Sequence, residues 1–173
     1  MEVAVIGCGA AGFMAIIVAA QKGLKVLAVE KAGSVAGVNG IKVSGPFAVD
    51  TSVLHNREGG TTLTVDEVFN HAMEYTHWTP NPSLMRRCLE TPKYAVEELV
   101  KIGYNMQGAN FRFETPVKDE KGGFHLINNA LDERIELWEK ALDDNGVQVI
   151  YNCAAKSLIV EDGKIAGFTA EKE

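Results

Sequence analysis

The hydrophobic pattern of the chain changes period from block to block. Val3-Ala4-Val5-Ile6 is a short unbroken apolar run, which suits a strand buried in a parallel sheet. After a glycine-rich turn, an apolar stretch from about Ala11 to Gln21 reads as a helix, closed by Gly23. Leu24 to Val29 is a second strand, ending in Glu30. From Lys31 to Gly60 the helical period disappears. This run is rich in Gly, Ser, Val and Asn, and long for a connection in a compact domain, as functional or mobile loops are. Its Ile41, Val43, Phe47 and Val49 are side chains that favour burial.

Period 3.6 returns at Thr64-Val65-Asp66-Glu67, which has the form of a capping box. Val65, Val68, Phe69, Ala72 and Met73 then share one helical face, and the helix is expected to stop near Thr76. Asn81-Pro82 and Thr91-Pro92 each read as an N-cap followed by proline at the first helical position. They predict helices from Pro82 to about Glu90 and from Pro92 to Ile102, the second closed by Gly103. Tyr104 to Phe124 reads as irregular, with an edge strand at Phe111, Arg112 and Phe113 and a solvated turn at Lys118 to Lys121. Asn128 or Asn129 is expected to cap a helix to about Asp144 with a buried stripe of Leu131, Ile135, Trp138 and Leu142. Val147 to Tyr151 predicts a strand returning to the parallel sheet. Asp162-Gly163, between Lys156–Val160 and Lys164–Ala170, is a strong hairpin signal. The domain reading is therefore 1–63 plus 125–173 as an α/β unit, with 64–124 as an inserted helical subdomain.

The turn at Gly7-Cys8-Gly9-Ala10-Ala11-Gly12 matches G-x-G-x-x-G. Alone the match is weak. Here it follows a strand, opens a helix, and is followed by an acid at the end of the next strand, the context that makes it specific for a dinucleotide. Gly7 permits the sharp turn, Gly9 lets a pyrophosphate approach the backbone, and Gly12 lets helix and strand pack closely. The helix N-terminus offers free N–H groups to phosphate. Glu30 can accept hydrogen bonds from the adenosine ribose. An acid there, rather than a base, favours FAD or NAD over NADP.

A hydrophobic content of 46% fits a globular chain, and a net charge of −6 argues against nucleic acid or an anionic membrane surface as partner. No apolar run approaches a membrane span, and Met1 leads straight into the first strand, so a cleaved leader is not expected. Cys8, Cys88 and Cys153 form no C-x-x-C pair, which suits a reducing cytoplasm and no zinc site. Cys8 fills a position that needs a small residue. His71 and His77 are spaced wrongly to share a metal on one helical face. Arg112 and His125 are the side chains best suited to meet a carboxylate substrate. For each, a surface arginine or a hydrogen-bonded loop histidine is the plainer expectation.

The order of these blocks resembles the FAD-binding portion of the succinate dehydrogenase and fumarate reductase flavoprotein family, which includes 3-ketosteroid dehydrogenases. Four segments carry the resemblance: Val5 to Gly12; Val29-Glu30-Lys31; the loop from Gly37 through Asn39 to Ser44-Gly45; and Gly146-Val147 through Asn152, Ala155, Leu158 and Asp162-Gly163 to Gly167. It implies a three-layer, Rossmann-like α/β fold, with a parallel sheet plus an antiparallel hairpin or meander. By the same resemblance, Gly7, Gly9, Ala11 and Gly12 hold the pyrophosphate, Glu30 binds ribose and Lys31 lies beside the adenosine. Asn39, Ser44 and Gly45 line the flavin side, and Ala155 offers its backbone to adenine. Asn39 falls where membrane-bound members join FAD to a histidine, so the FAD is expected to be non-covalent.

Two departures stand out. The family's paired glycines become Gly37-Val38 and Gly45-Pro46. The chain also ends before the family's substrate-capping and catalytic parts, so the resemblance implies a truncated N-terminal portion with no catalytic acid or base, completed by further polypeptide or a second chain. The implied reaction moves a hydride between flavin and a C–C bond beside a carbonyl or carboxylate of a small molecule. The alternatives are an NAD-binding dehydrogenase domain, which predicts a regular sheet in place of the loop at 31–60, or a non-catalytic nucleotide-binding module or partner subunit.

Overall fold

A computed structural model describes residues 2–56, 62–109 and 122–173. The fold is mixed α/β, with a parallel sheet, antiparallel hairpins and helices. Its packing divides it into two compact units, Met1–Val43 with Ala130–Glu173, and Ser44–Asn129. The first break thus lies well before Leu63, inside the glycine-rich loop.

The first unit opens with β1 (Val3–Ile6), α1 (Ala10–Gln21) and β2 (Val26–Val29). Gly23, at φ +82°, adopts the left-handed conformation that ends α1. Two 3-10 turns follow, Val35–Gly37 and Asn39–Lys42. The chain returns through α6 (Leu131–Asp144) and β5 (Gln148–Ile150), and ends in β6 (Cys153–Glu161) and β7 (Lys164–Lys172). The parallel sheet has the order β1-β2-β5, with Val3 opposite Val26 and Leu27 opposite Gln148. Phe13, Ile16 and Ile17 of α1 and Trp138, Ala141 and Leu142 of α6 are buried. The Phe13 and Trp138 rings stack face to face at 3.9 Å. Leu131, expected in the buried stripe, is exposed at the helix start. β6 and β7 form the hairpin foreseen from Asp162-Gly163, and both turn residues have positive φ (49° and 73°). Such a turn twists in the sense the strands require.

The second unit contains α2 (Ser52–His55), α3 (Val65–Tyr75), α4 (Pro82–Glu90), α5 (Pro92–Lys101), β3 (Met106–Ala109) and β4 (Phe124–Ile127). Val49, Val68, Phe69, Met73 and Leu89 form its core, with Phe47, Leu63, Val65 and Met85 packed against them. The capping box of α3 forms as read: the Glu67 N–H donates to Thr64 Oγ1, and Glu67 Oε2 accepts from the Thr64 N–H. Asn81 caps α4 through its side chain. Thr91 does not cap α5 that way. Its hydroxyl turns back to the Arg87 carbonyl at 2.8 Å, and Thr91 is at once the last cap of α4 and the first of α5.

The stretch from Tyr104 is more regular than its composition suggests. Met106–Ala109 pairs antiparallel with Phe124–Ile127, placing Gly108 opposite His125. His125 therefore sits in a strand, not in a loop before a helix. The N-cap of α6 is Ala130, because the Asn129 carboxamide oxygen is taken by the Asn105 N–H at 2.7 Å. The readings at Phe111, Arg112, Phe113 and Lys118 to Lys121 lie outside the described residues.

Candidate functional site

The head of α1 has the close-packed glycine geometry that the sequence suggested for a dinucleotide turn. Gly7 has φ +87°, a value that L side chains rarely adopt, and this turns the chain out of β1. A Cβ on Gly12 would stand 1.9 Å from the Gly7 carbonyl oxygen, so helix and turn are closer than any side chain permits. A Cβ on Gly9 would meet nothing within 4 Å. Its backbone borders open space, which is the cradle a pyrophosphate requires. Gly9 is the N-cap and brings no side chain to the first N–H groups, and α1 has no acid in its first turn to repel an anion.

Glu30 closes the other end. It is 6% exposed, and its carboxylate is oriented by two backbone donors, the Cys8 N–H at 2.7 Å and the Ala32 N–H at 2.8 Å. A carboxylate has about four acceptor positions, so capacity remains for ribose hydroxyls. β6 starts at the same corner: the Cys153 N–H donates to the Glu30 carbonyl at 2.9 Å and the Asn152 N–H to the Ala32 carbonyl at 3.1 Å. Burial, helped by the Glu30 charge, pushes the Cys8 thiol up to about 11. It stays a protonated filler of the turn, not a nucleophile. Burial also raises Tyr151 to about 12, keeping this corner free of a phenolate.

Of the residues expected to hold a dinucleotide, Gly7, Gly9, Ala11, Gly12 and Glu30 lie together in the first unit, where the Cys8 N–H ties the turn to the acid. Lys31 is exposed beside it and Ala155 is half-buried in β6. Asn39 opens the second 3-10 turn, and that turn rests on the head of α1. A Cβ on Gly40 would lie 2.3 Å from the Ala10 nitrogen. Nothing in the glycine-rich composition of the loop singles out Gly40 for this packing. Arg134 of α6 was not foreseen either: its guanidinium donates to the Ile41 and Val43 carbonyls at 3.2 and 2.7 Å. An arginine in a charged helix carries no pattern that announces such a contact.

Ser44 and Gly45 belong to the second unit. The Ser44 carbonyl accepts from the Ile127 N–H at 3.0 Å, and a Cβ on Gly45 would lie 1.6 Å from the His125 carbonyl oxygen. His125 is fully buried. Its Nδ1 faces the Pro46 carbonyl at 3.3 Å and its Nε2 faces Thr51 Oγ1 at 2.7 Å. That placement corrects its candidacy as a carboxylate contact: both ring nitrogens are already engaged in the unit's interior. Arg112 lies outside the described residues. Among the described residues, no group of three or more His, Cys, Asp or Glu side chains is placed to hold a metal, and no helix is long and apolar enough to cross a membrane.

Known proteins resemble this chain along nearly its whole length. NADH:fumarate oxidoreductase of Klebsiella pneumoniae (strain 342) is 25% identical over 174 residues, which cover 96% of this chain and 18% of that protein. Among solved structures, a flavocytochrome c3 fumarate reductase in its open conformation superposes with a TM-score of 0.71 at 22% identity, covering 98% of this chain and 31% of that one. The 3-ketosteroid-delta4-(5alpha)-dehydrogenase of Rhodococcus jostii RHA1, solved with 4-androstene-3,17-dione, gives 0.73 at 17% identity, covering 99% and 42%. The chain thus spans under half the length of each of these proteins. The FAD binding domain family matches residues 2–173. That match runs along nearly the whole chain, and this chain therefore belongs to the FAD binding domain family.

Proposed function

We propose that the chain is the FAD-binding part of a flavin-dependent oxidoreductase of the fumarate reductase type. The bound flavin supplies hydride chemistry; the protein's part is to hold and orient it. The head of α1 neutralises the pyrophosphate through the N–H groups of its first turn and the helix dipole. Glu30 fixes the ribose and thereby the register of the dinucleotide along the turn. Lys31 and the Ala155 backbone flank the adenosine. Asn39, Ser44 and Gly45 serve the flavin side. With Asn39 where a covalent histidine stands in membrane-bound members, the FAD is held non-covalently.

The substrate class in this reading is a small molecule whose C–C bond adjoins a carbonyl or carboxylate. It rests on the relatives, one of which is named for fumarate and another of which was solved with a steroid dione. Acid–base groups for that step come from polypeptide beyond these residues or from a second chain. In this reading the helices α3 to α5 of the second unit are an insertion in the FAD-binding fold, and the compartment is the cytoplasm.

The observation that carries the proposal is the pairing of an open glycine turn with an oriented, buried Glu30. Titrating the chain with FAD and following flavin fluorescence tests it. Quenching is expected, with affinity at least about tenfold weaker in Glu30→Ala, since hydrogen bonds to a charged group are lost. Acid precipitation should release the flavin into the supernatant. Equal affinity in the two proteins would remove Glu30 from the ribose.

A further inference from the structure

The turn Asn39–Lys42 has little of its own to keep it in place. It is a single 3-10 turn whose entering bond, from the Ile41 N–H to the Val38 carbonyl, is long at 3.4 Å. Such turns have poor hydrogen-bond geometry. Yet its position is closely defined. Gly40 lies against the Ala10 nitrogen with no room for a Cβ, so the turn rests on the first residue of α1. Ile41 is 1% exposed and roots the turn from below. Asn39 is exposed. The carbonyls leaving the turn, which have no partner within a helix end, are gathered by one cation. Arg134 Nη1 donates to Ile41 O at 3.2 Å and to Val43 O at 2.7 Å. These are charge-assisted bonds, and the cation sits at the C-terminal, negative end of the turn, where it is favoured.

We propose that Arg134 is a positioning residue that clamps the Asn39–Val43 turn onto the head of α1, and so sets the affinity for the flavin half of the dinucleotide without affecting the adenosine half. The inference rests on the FAD reading above. The adenosine end has separate supports: Glu30 is oriented by Cys8 and Ala32. A dinucleotide whose ribose is at Glu30 and whose pyrophosphate lies across the head of α1 continues past the turn that rests there. Loosening that turn therefore affects the part beyond the phosphates first.

Calorimetric titration with FAD and, separately, with ADP distinguishes the two halves. Wild type, Arg134→Ala and Arg134→Lys are compared, with thermal midpoints measured alongside. Arg134→Ala is expected to bind FAD about tenfold more weakly, the usual loss for bonds to a charged group. Its ADP affinity should be unchanged. Arg134→Lys keeps the charge but not the planar head, and should fall between. Equal losses for FAD and ADP would overturn the proposal, because the arginine would then only support the fold. So would an Arg134→Ala variant with wild-type FAD affinity, or a wild type that gains nothing from FAD over ADP. If Arg134→Ala does not fold, Arg134→Lys carries the same comparison. A wild type that binds neither ligand would strike the FAD reading itself, a failure visible without any variant.

Discussion

Single residues in this chain are fixed by steric and hydrogen-bonding limits that can be tested one at a time. Gly12 allows no Cβ, since one would stand 1.9 Å from the Gly7 carbonyl oxygen. Gly12→Ala forces the helix away from the turn, with an expected loss of about 1–3 kcal/mol in chemical denaturation. Gly9→Ala meets no protein atom. It is expected to leave stability nearly unchanged and to weaken FAD binding, because the methyl group enters the space left for phosphate. The reverse ranking of the two variants on stability would contradict the geometry. His125 has a different role. Desolvation, the largest influence, lowers its basicity below the ordinary 6.5; the Pro46 carbonyl and the Glu97 charge oppose this and lose. The unfolded chain then takes up a proton near pH 6.5 while the folded chain resists until lower pH. The stabilisation is therefore complete above 6.5 and is lost as pH falls beneath it. Urea midpoints measured from pH 7.5 down to 5 should decline in wild type and decline less steeply in His125→Asn. Parallel slopes would assign the acid sensitivity to other groups.

At the scale of elements, what was legible in the sequence was what local chemistry decides. The α3 capping box, the Asn81-Pro82 start of α4, the glycine stops after α1, α5 and α6, and the Asp162-Gly163 hairpin each depend on residues a few positions apart. The structure reproduces all of them. What was not legible depends on distant partners. Met106–Ala109 shows no alternation and includes a glycine, yet it is a strand because Phe124–Ile127 pairs with it. Asn129 looks like an N-cap, but Asn105 claims its carboxamide, and the cap passes to Ala130. Thr64 and Thr91 both read as N-caps from the sequence, and only Thr64 caps through its side chain in the folded chain. Thr64→Ala should therefore cost about 1 kcal/mol, whereas Thr91→Ala, which loses only a bond back to the Arg87 carbonyl, should cost measurably less in the same urea titration. Of the candidate site, the glycine turn and the acid could be read in advance because their spacing is short. The Gly40 packing and the Arg134 clamp could not, since about ninety residues separate Arg134 from the carbonyls it holds.

At the scale of the whole molecule, the chain is organised as two compact units, only one of which contains the glycine turn, Glu30 and the turn around Asn39. A long excursion from β2 to β5 passes through the second unit, so the third parallel strand joins the sheet only after most of the chain has been made. Pairings so distant in sequence form slowly, because loop closure precedes any gain from contact. Each unit also contains a single tryptophan in an environment unlike the other's. Trp138 is buried against Phe13, whereas Trp78 is mostly exposed at the edge of Phe69. The polypeptide thus carries its own pair of optical reporters. Emission at shorter wavelength follows the nucleotide-binding unit and emission at longer wavelength follows its companion. During denaturation the two bands will shift together if the units melt as one and in succession if they do not.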